Sequence, residues 1–266
     1  MIKSTKEHIT IYQSELLKNA TNLVHFFSTR KGGISSGTFE SLNFGTHHGE
    51  AEKMIQNLAL LKHSLYLSNV HFVIPKQTHS DTIAFVDQSN YNGLFENTDA
   101  LITNLPNIII CIKTADCVPI LLFDQVKNVV GAVHSGWKGT AQNIVGKTIE
   151  KMNRFFGSNP SDILAIIGPC IGQEKYEVGN EVIDAIKPLL KNPEMSFFPV
   201  NNNSGKHLLN LNNVNYQLLV QAGIKEVNID SPEICTYTNS NEFFSARRDG
   251  YKTGRMINGV GLLQNE

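Results

Sequence analysis

Apolar residues along this chain arrive mostly in short runs bounded by polar turns, and a helical period emerges only in the second half. The runs predict strands over 24–28, 72–74, 82–86, 100–103, 108–112, 118–123, 129–133, 163–167, 227–229 and 243–246. The runs at 108–112 and 118–123 are apolar without alternation, as in strands buried on both faces. Over 140–156, Ala141, Ile144, Val145, Ile149, Met152, Phe155 and Phe156 recur at three and four residues and predict one helix, closed by Gly157 and Pro160. Helices are also expected over 178–190 and 211–222, and Asn201-Asn202-Asn203-Ser204-Gly205 reads as an exposed loop. Strands early and helices mixed in later predict an α/β fold, with mixed sheets covered by helices. No proline-rich or charged linker interrupts the chain, so residues 1–266 are expected to form a single domain.

Composition narrows the function classes. The 266 residues are 41% hydrophobic and carry 20 glycines, an ordinary globular balance that can bury a core without disulfide staples. Lys and Arg number 23 against 24 Asp and Glu, a net charge of -1, which argues against a nucleic-acid or polybasic membrane-surface binder. Four cysteines, at 111, 117, 170 and 235, are too few for a secreted disulfide framework and suit a reducing compartment. The first twenty residues contain no signal-like apolar stretch, and Lys113 and Asp116 break the greasiest run. A cytoplasmic protein that does not engage membranes is therefore expected.

Three polar interruptions place chemistry at the ends of buried runs. They are Lys76–Asp81 with His79, Lys113–Pro119 with Cys117, and His134–Gly139 with the single tryptophan, Trp137. The gaps between His79, Cys117 and His134 are too long for a zinc finger's paired ligands. Two His and one Cys on separate strand ends match the make-up of an open catalytic zinc site, where three protein ligands leave a fourth position free. Spacing alone leaves the blander readings open: a Cys beside a Pro packs as a small hydrophobe, and a His at a strand end is often a hydrogen-bonded surface group. Ser28–Gly33 adds Arg30, a planar fork suited to phosphate, beside a glycine pair; a solvated Gly-Gly turn fits equally well. Glycines between 131 and 139, ahead of the helix, could turn backbone N–H groups to an anion. Neither a P-loop, nor GxGxxG, nor a GxSxG elbow occurs.

Taken together the motifs are distinctive: STRKGGIS at 28–35, SLNFG at 41–45, KQTHSD at 76–81, TDALIT at 98–103, KTADCVPILLFD at 113–124, VGAVHSGWKGT at 130–140, GPCIG and YEVG within 168–179, and FFSARRD and TGRM within 243–256. In that order, over nearly the whole chain, they resemble the bacterial laccase-domain family, also labelled multicopper polyphenol oxidases, peptidoglycan editing factors and purine nucleoside phosphorylases. The resemblance implies a layered α/β/β/α-type sandwich in one domain. It implies one Zn2+ per chain, held by His79, Cys117 and His134, which are also the implied catalytic residues. Arg30, Asn43, His47, Asp99 and Asp116 are the implied substrate-binding residues, with Asp99 or Asp116 as the candidate proton shuttle. Glu50, His48 and Ala246 depart from the family pattern at peripheral positions.

The activity implied is broad purine nucleoside phosphorolysis (adenosine, inosine, guanosine, methylthioadenosine) with adenosine deamination. Purine nucleosides and phosphate would be the partners of a monomer. Phosphorolysis needs an anion clamp, for which Arg30 and the N–H groups near 136–140 are candidates, and deamination needs an activated water, which zinc can supply. One rival is a zinc hydrolase that cuts an amide in wrongly built peptidoglycan precursors. Copper-dependent phenol oxidation is disfavoured, because nine His with no His-X-His pair is a poor supply for several coppers. A non-catalytic binding module is the last alternative, and the complete triad argues against it.

Overall fold

The structure, a computed structural model, describes residues 1–200 and 205–264, so the asparagine run 201–204 lies outside the described residues. Two mixed six-stranded sheets form its centre. The first runs, edge to edge, Ile2–Lys6, Ile9–Gln13, Leu23–Ser28, Met256–Leu262, Ile108–Thr114 and His71–Val73. The second runs Ile229–Asp230, Ile163–Ile167, Val118–Asp124, Val129–Ser135, Ala100–Thr103 and Ile83–Phe85. A third sheet joins the short strands Glu177–Val178, His207–Leu209 and Phe197–Pro199.

The uninterrupted apolar runs follow from stacking these sheets inside helices. A central core takes Ile108, Ile110, Ile112 and Val260 from the first sheet and Leu121, Phe123, Val130, Leu164 and Ile166 from the second. The alternate residues point the other way. Ile109, Cys111, Phe26 and Ile257 pack with Leu61 of the helix Ala51–Ser64. Ile120, Leu122, Val133, Ile163 and Ala165 pack against the helices Ile144–Phe156, Asn180–Ile186 and Leu211–Gln221. Both faces of each central strand are thus dry, and the layers read helix, sheet, sheet, helix as expected. Among the described residues no helix is long and apolar enough to cross a membrane.

Several elements differ from the expectation. The helix expected over 140–156 is two helices, Trp137–Ala141 and Ile144–Phe156. Asn143 between them takes a left-handed conformation (φ 54°), and its side chain accepts from the Gly146 N–H, which caps the second helix. The expected helix over 178–190 is the shorter Asn180–Ile186 followed by a turn, and Val178 belongs to a strand. Residues 243–246 form no strand. Phe243 and Phe244 fill a small core with Ala115 and Met256, and Ser245 caps the helical turn Ala246–Asp249. At 227–229 the chain makes a turn, Glu226–Asn228, and then the strand Ile229–Asp230.

The strand Met256–Leu262 carries Asn258-Gly259, a turn signal in sequence, yet it is the middle of the first sheet, between Leu23–Ser28 and Ile108–Thr114. Its glycines are spacers. A Cβ on Gly259 would stand 2.7 Å from Phe26 and 2.9 Å from Cys111 Sγ, so the neighbouring strands' side chains already fill that volume. Gly259→Ala should therefore cost about 1–3 kcal/mol by overpacking, measured by chemical denaturation, without disturbing the site.

His25, in the strand Leu23–Ser28, is 5% exposed, and its Nε2 accepts the Ser14 N–H at 2.8 Å. Burial, opposed by Ser14 and Asp230, lowers its pKa from 6.5 to about 4. The unfolded chain therefore takes up this proton first, and its contribution, present above pH ~6.5, is lost as pH falls towards ~4. Equilibrium unfolding should show a loss of about 3 kcal/mol across that window, reduced in His25→Gln.

Candidate metal centre

The chain crosses between the two central sheets twice at one end, and the crossings build the site. Residues 74–82 leave the first sheet at His71–Val73 and enter the second at Ile83–Phe85, carrying His79. Residues 115–117 leave it at Ile108–Thr114 and enter at Val118–Asp124, carrying Cys117. His134 comes from the neighbouring strand, opposite Pro119. One donor atom from each of His79, Cys117 and His134 lies within 4.8 Å of the other two. His79 is exposed, Cys117 half-buried and His134 buried, so the cluster opens to solvent on one side.

Two of the three polypeptide turns are strained. His79 and Asp116, the residue before Cys117, have φ values of 60° and 90°. Such backbone persists only where neighbours over-determine it. Asp99 clamps the first turn: its carboxylate accepts the N–H groups of Thr78 (3.1 Å), His79 (3.0 Å) and Ser80 (2.8 Å) and the Ser80 hydroxyl (2.8 Å). Asp99 Oδ1 also meets His134 Nδ1 at 2.7 Å, and this turns His134 Nε2 towards the cluster. The Asp116 carboxylate secures the second turn by accepting the hydroxyls of Thr236 (2.6 Å) and Ser245 (2.9 Å) and the Arg247 N–H (2.7 Å). The Gln77 side chain acts as a short extra strand, accepting from the Lys113 N–H (2.7 Å) and donating to the Lys113 carbonyl (2.8 Å).

The donor set fits a metal ion. Tetrahedral bonds of ~2.0–2.3 Å place donors about 3.5 Å apart, within the spread seen here. A Cβ at Gly136 would stand 2.9 Å from His79 Nδ1 and 3.0 Å from Cys117 Sγ, so the chain keeps the flank of the donor set bare. Burial opposes a thiolate at Cys117, but His134 and His79 outweigh it and lower its pKa. Burial opposes a charged His134, and Cys117 and Asp99 outweigh it in the other direction. Asp99 is held well below the carboxylate range: its hydrogen bonds and the facing His134 overcome its burial. Among the described residues this is the cluster of three or more such donors.

The remaining expected site residues fall elsewhere in the architecture. Asp99 is 0% exposed, and its hydrogen bonds go to His134 and to the turn that carries His79. Asp116 is 7% exposed with both oxygens occupied, and it holds the turn before Cys117. Arg30 spends its fork on the Glu40 and Ser240 carbonyls and stacks over Phe244 at 4.5 Å, an internal brace. Asn43 is fully buried. Its Oδ1 accepts from Gly45 N–H (2.7 Å) and Arg255 N–H (2.9 Å), so it sets the position of Arg255. His47 sits exposed in the turn His47–Gly49. Arg255 and Lys113 were not singled out by the sequence, although Lys113 is the charge that interrupts the greasiest run.

Residues 24–263 match the family model for the multi-copper polyphenol oxidoreductase laccase, and the chain belongs to that family. Among its relatives, a purine nucleoside phosphorylase of Bacteroides thetaiotaomicron is 36% identical over 98% of both chains. A protein named adenosine deaminase RL5, from an unknown prokaryotic organism, is 34% identical over 89% of this chain and 93% of its own. The crystal structure of YlmD from Geobacillus stearothermophilus superposes with a TM-score of 0.88 at 30% identity, covering 98% of each chain.

With Asp99 as the orienting partner, Asp99→Asn should weaken metal binding about 10–100-fold while leaving the chain folded. Metal titration followed by circular dichroism checks both halves.

Proposed function

We propose that this chain is a zinc-dependent purine nucleoside phosphorylase of broad specificity that also deaminates adenosine. The observation that carries the reading is the His79–Cys117–His134 donor set, open on its His79 side, in a chain matched end to end by a relative named purine nucleoside phosphorylase. The relative named adenosine deaminase supports the second activity. One sulfur and two imidazole nitrogens suit zinc, and a single such cluster among the described residues does not suit several coppers. When bound, the metal supplies Lewis-acid polarisation and an acidified water.

The chain's own residues do the rest. Asp99 keeps the Nδ1 proton of His134 and so its Nε2 free for a ligand. Asp116 and Gln77 fix the turns that carry Cys117 and His79, so the donors meet without reorganisation. In phosphorolysis the bond from ribose C1′ to the purine nitrogen breaks, a bond from C1′ to a phosphate oxygen forms, and a proton passes to the purine. Positive charge develops on the ribose, and a phosphate held against it lowers the barrier.

Incubating the protein with adenosine, with and without inorganic phosphate, should give phosphate-dependent adenine plus ribose 1-phosphate, and inosine in both cases. Metal analysis should find about one zinc per chain. Cys117→Ala should lose the metal and at least 100-fold in both rates. Base release that ignores phosphate, or copper in place of zinc, overturns the proposal.

A further inference from the structure

Phosphorolysis needs a cationic cradle, and Arg30, which the sequence offers for it, has its fork committed to the Glu40 and Ser240 carbonyls. Two other cations are placed differently. Lys113 lies on the strand Ile108–Thr114, directly opposite Ile257 of the strand Met256–Leu262. Arg255 precedes that second strand by one residue, so the antiparallel register puts Arg255 and Lys113 diagonally across the same face, within reach of each other's long side chains. Like charges set this close repel, and both pKa values are lowered, by burial first and, for Lys113, by Arg255.

Each is tied by its backbone to a site turn. The Gln77 amide grips both backbone groups of Lys113 two residues before His79. Asn43 accepts the Arg255 N–H, and the Phe44 N–H donates to the Arg255 carbonyl. Met256 pairs with Thr114, so Arg255 stands beside the start of the crossing 115–117 that carries Cys117. The two side chains are nevertheless under-used. Only Nη1 of Arg255 is bonded, to the Thr253 (2.7 Å) and Gly254 (2.9 Å) carbonyls. Its Nε and Nη2, and the ammonium of Lys113, have no hydrogen-bond acceptor among the described residues. No carboxylate forms an ion pair with either cation there; the eight ion pairs of the described residues all involve other groups.

A fixed, half-buried pair of cations with free donors beside a metal donor set is unfavourable by itself and favourable once a doubly charged oxyanion bridges it. We propose that Lys113 and Arg255 form the inorganic-phosphate subsite of this centre. The assignment rests on the phosphorolysis reading for its substrate but not for its binding chemistry. Phosphate there accepts from Arg255 Nε and Nη2 as a fork and from Lys113 Nζ as a point charge, on the side of the cluster that Cys117 borders. Asn43 becomes a positioning residue for that fork, and this gives the buried asparagine a role that Arg30 cannot supply.

The test reads phosphate directly, in the metal-loaded protein without nucleoside, by isothermal titration with inorganic phosphate. Lys113→Gln and Arg255→Gln should each raise the phosphate Kd about 10-fold or more, with metal content unchanged. Lys113→Arg should recover most of the loss, which a merely misfolded variant would not allow. In turnover the phosphate KM should rise while the nucleoside KM stays within about 2-fold. Phosphate-dependent base release with an unchanged phosphate Kd in both Gln variants, or a Kd that responds to Arg30→Gln instead, overturns the subsite and leaves the activity standing. Lys113-dependent phosphate binding with no base release upholds the subsite and overturns the activity.

Discussion

The carboxylate of Asp99 is the constraint on which the rest of the site depends. It carries a full negative charge with no exposed surface, a situation that costs several kcal/mol unless every lone pair is met. Here it is met by four donors from residues 78–80 and by the imidazole of His134. The compensation and the function are the same contacts. The hydrogen bonds that make the buried charge tolerable also wind Thr78–Ser80 into the conformation that presents His79, and fix the ring orientation of His134. The strand Ala100–Thr103 that follows is fully buried between its neighbours, so the anchor is as rigid as the sheet.

Asp116 repeats the device on the other crossing with different partners. Its oxygens draw in Thr236, Ser245 and Arg247 from the C-terminal third, while its carbonyl accepts the Ile171 N–H. The left-handed backbone at Asp116 is therefore held from several directions, and Cys117 next to it inherits the placement. Two sheets packed face to face need chain crossings at their ends; this fold spends those crossings on donors and the strands between them on core. That division explains why the candidate site lies at one rim of an otherwise dry sandwich.

Much of this was legible in the sequence because it follows from alternation and from interruption. The runs at 108–112 and 118–123 are greasy throughout because residues such as Ile109 and Ile110 face different cores. The polar breaks at the ends of such runs mark the donors: His79 lies on the crossing after His71–Val73, Cys117 on the crossing after Ile108–Thr114, and His134 near the end of the strand Val129–Ser135. What escaped has equally physical reasons. The hairpin Ile2–Lys6 with Ile9–Gln13 turns on Glu7 and His8, both with positive φ, where asparagine and glycine are the readable signals. The strand Met256–Leu262 hid behind glycines whose purpose is to admit Phe26 and Cys111. The helix Ala51–Ser64 has Ile55 on its exposed face, which blurs its stripe. Residues 243–246 looked like a strand because burial, not pairing, made them apolar.

The arginines show where residue type stops being informative. Arg30, Arg248 and Arg255 all fall in family motifs and all carry the same fork, and sequence cannot rank them as anion ligands. The hydrogen-bond inventory can. Arg248 gives all five donors away, to Asp249 and to the carbonyls of Thr236, Tyr237 and Phe243, and braces the segment that holds Asp116. Arg30 is spent on two carbonyls and an aromatic face. A cation so satisfied gains little from a ligand, because binding would exchange one good acceptor for another. Arg255 alone of the three keeps half its fork uncommitted, and it does so next to a lysine that has no acceptor among the described residues. Unmet donors on a braced backbone are what a ligand can satisfy at a net gain, so the candidate anion site follows the donors left unpaired and not the count of positive charges.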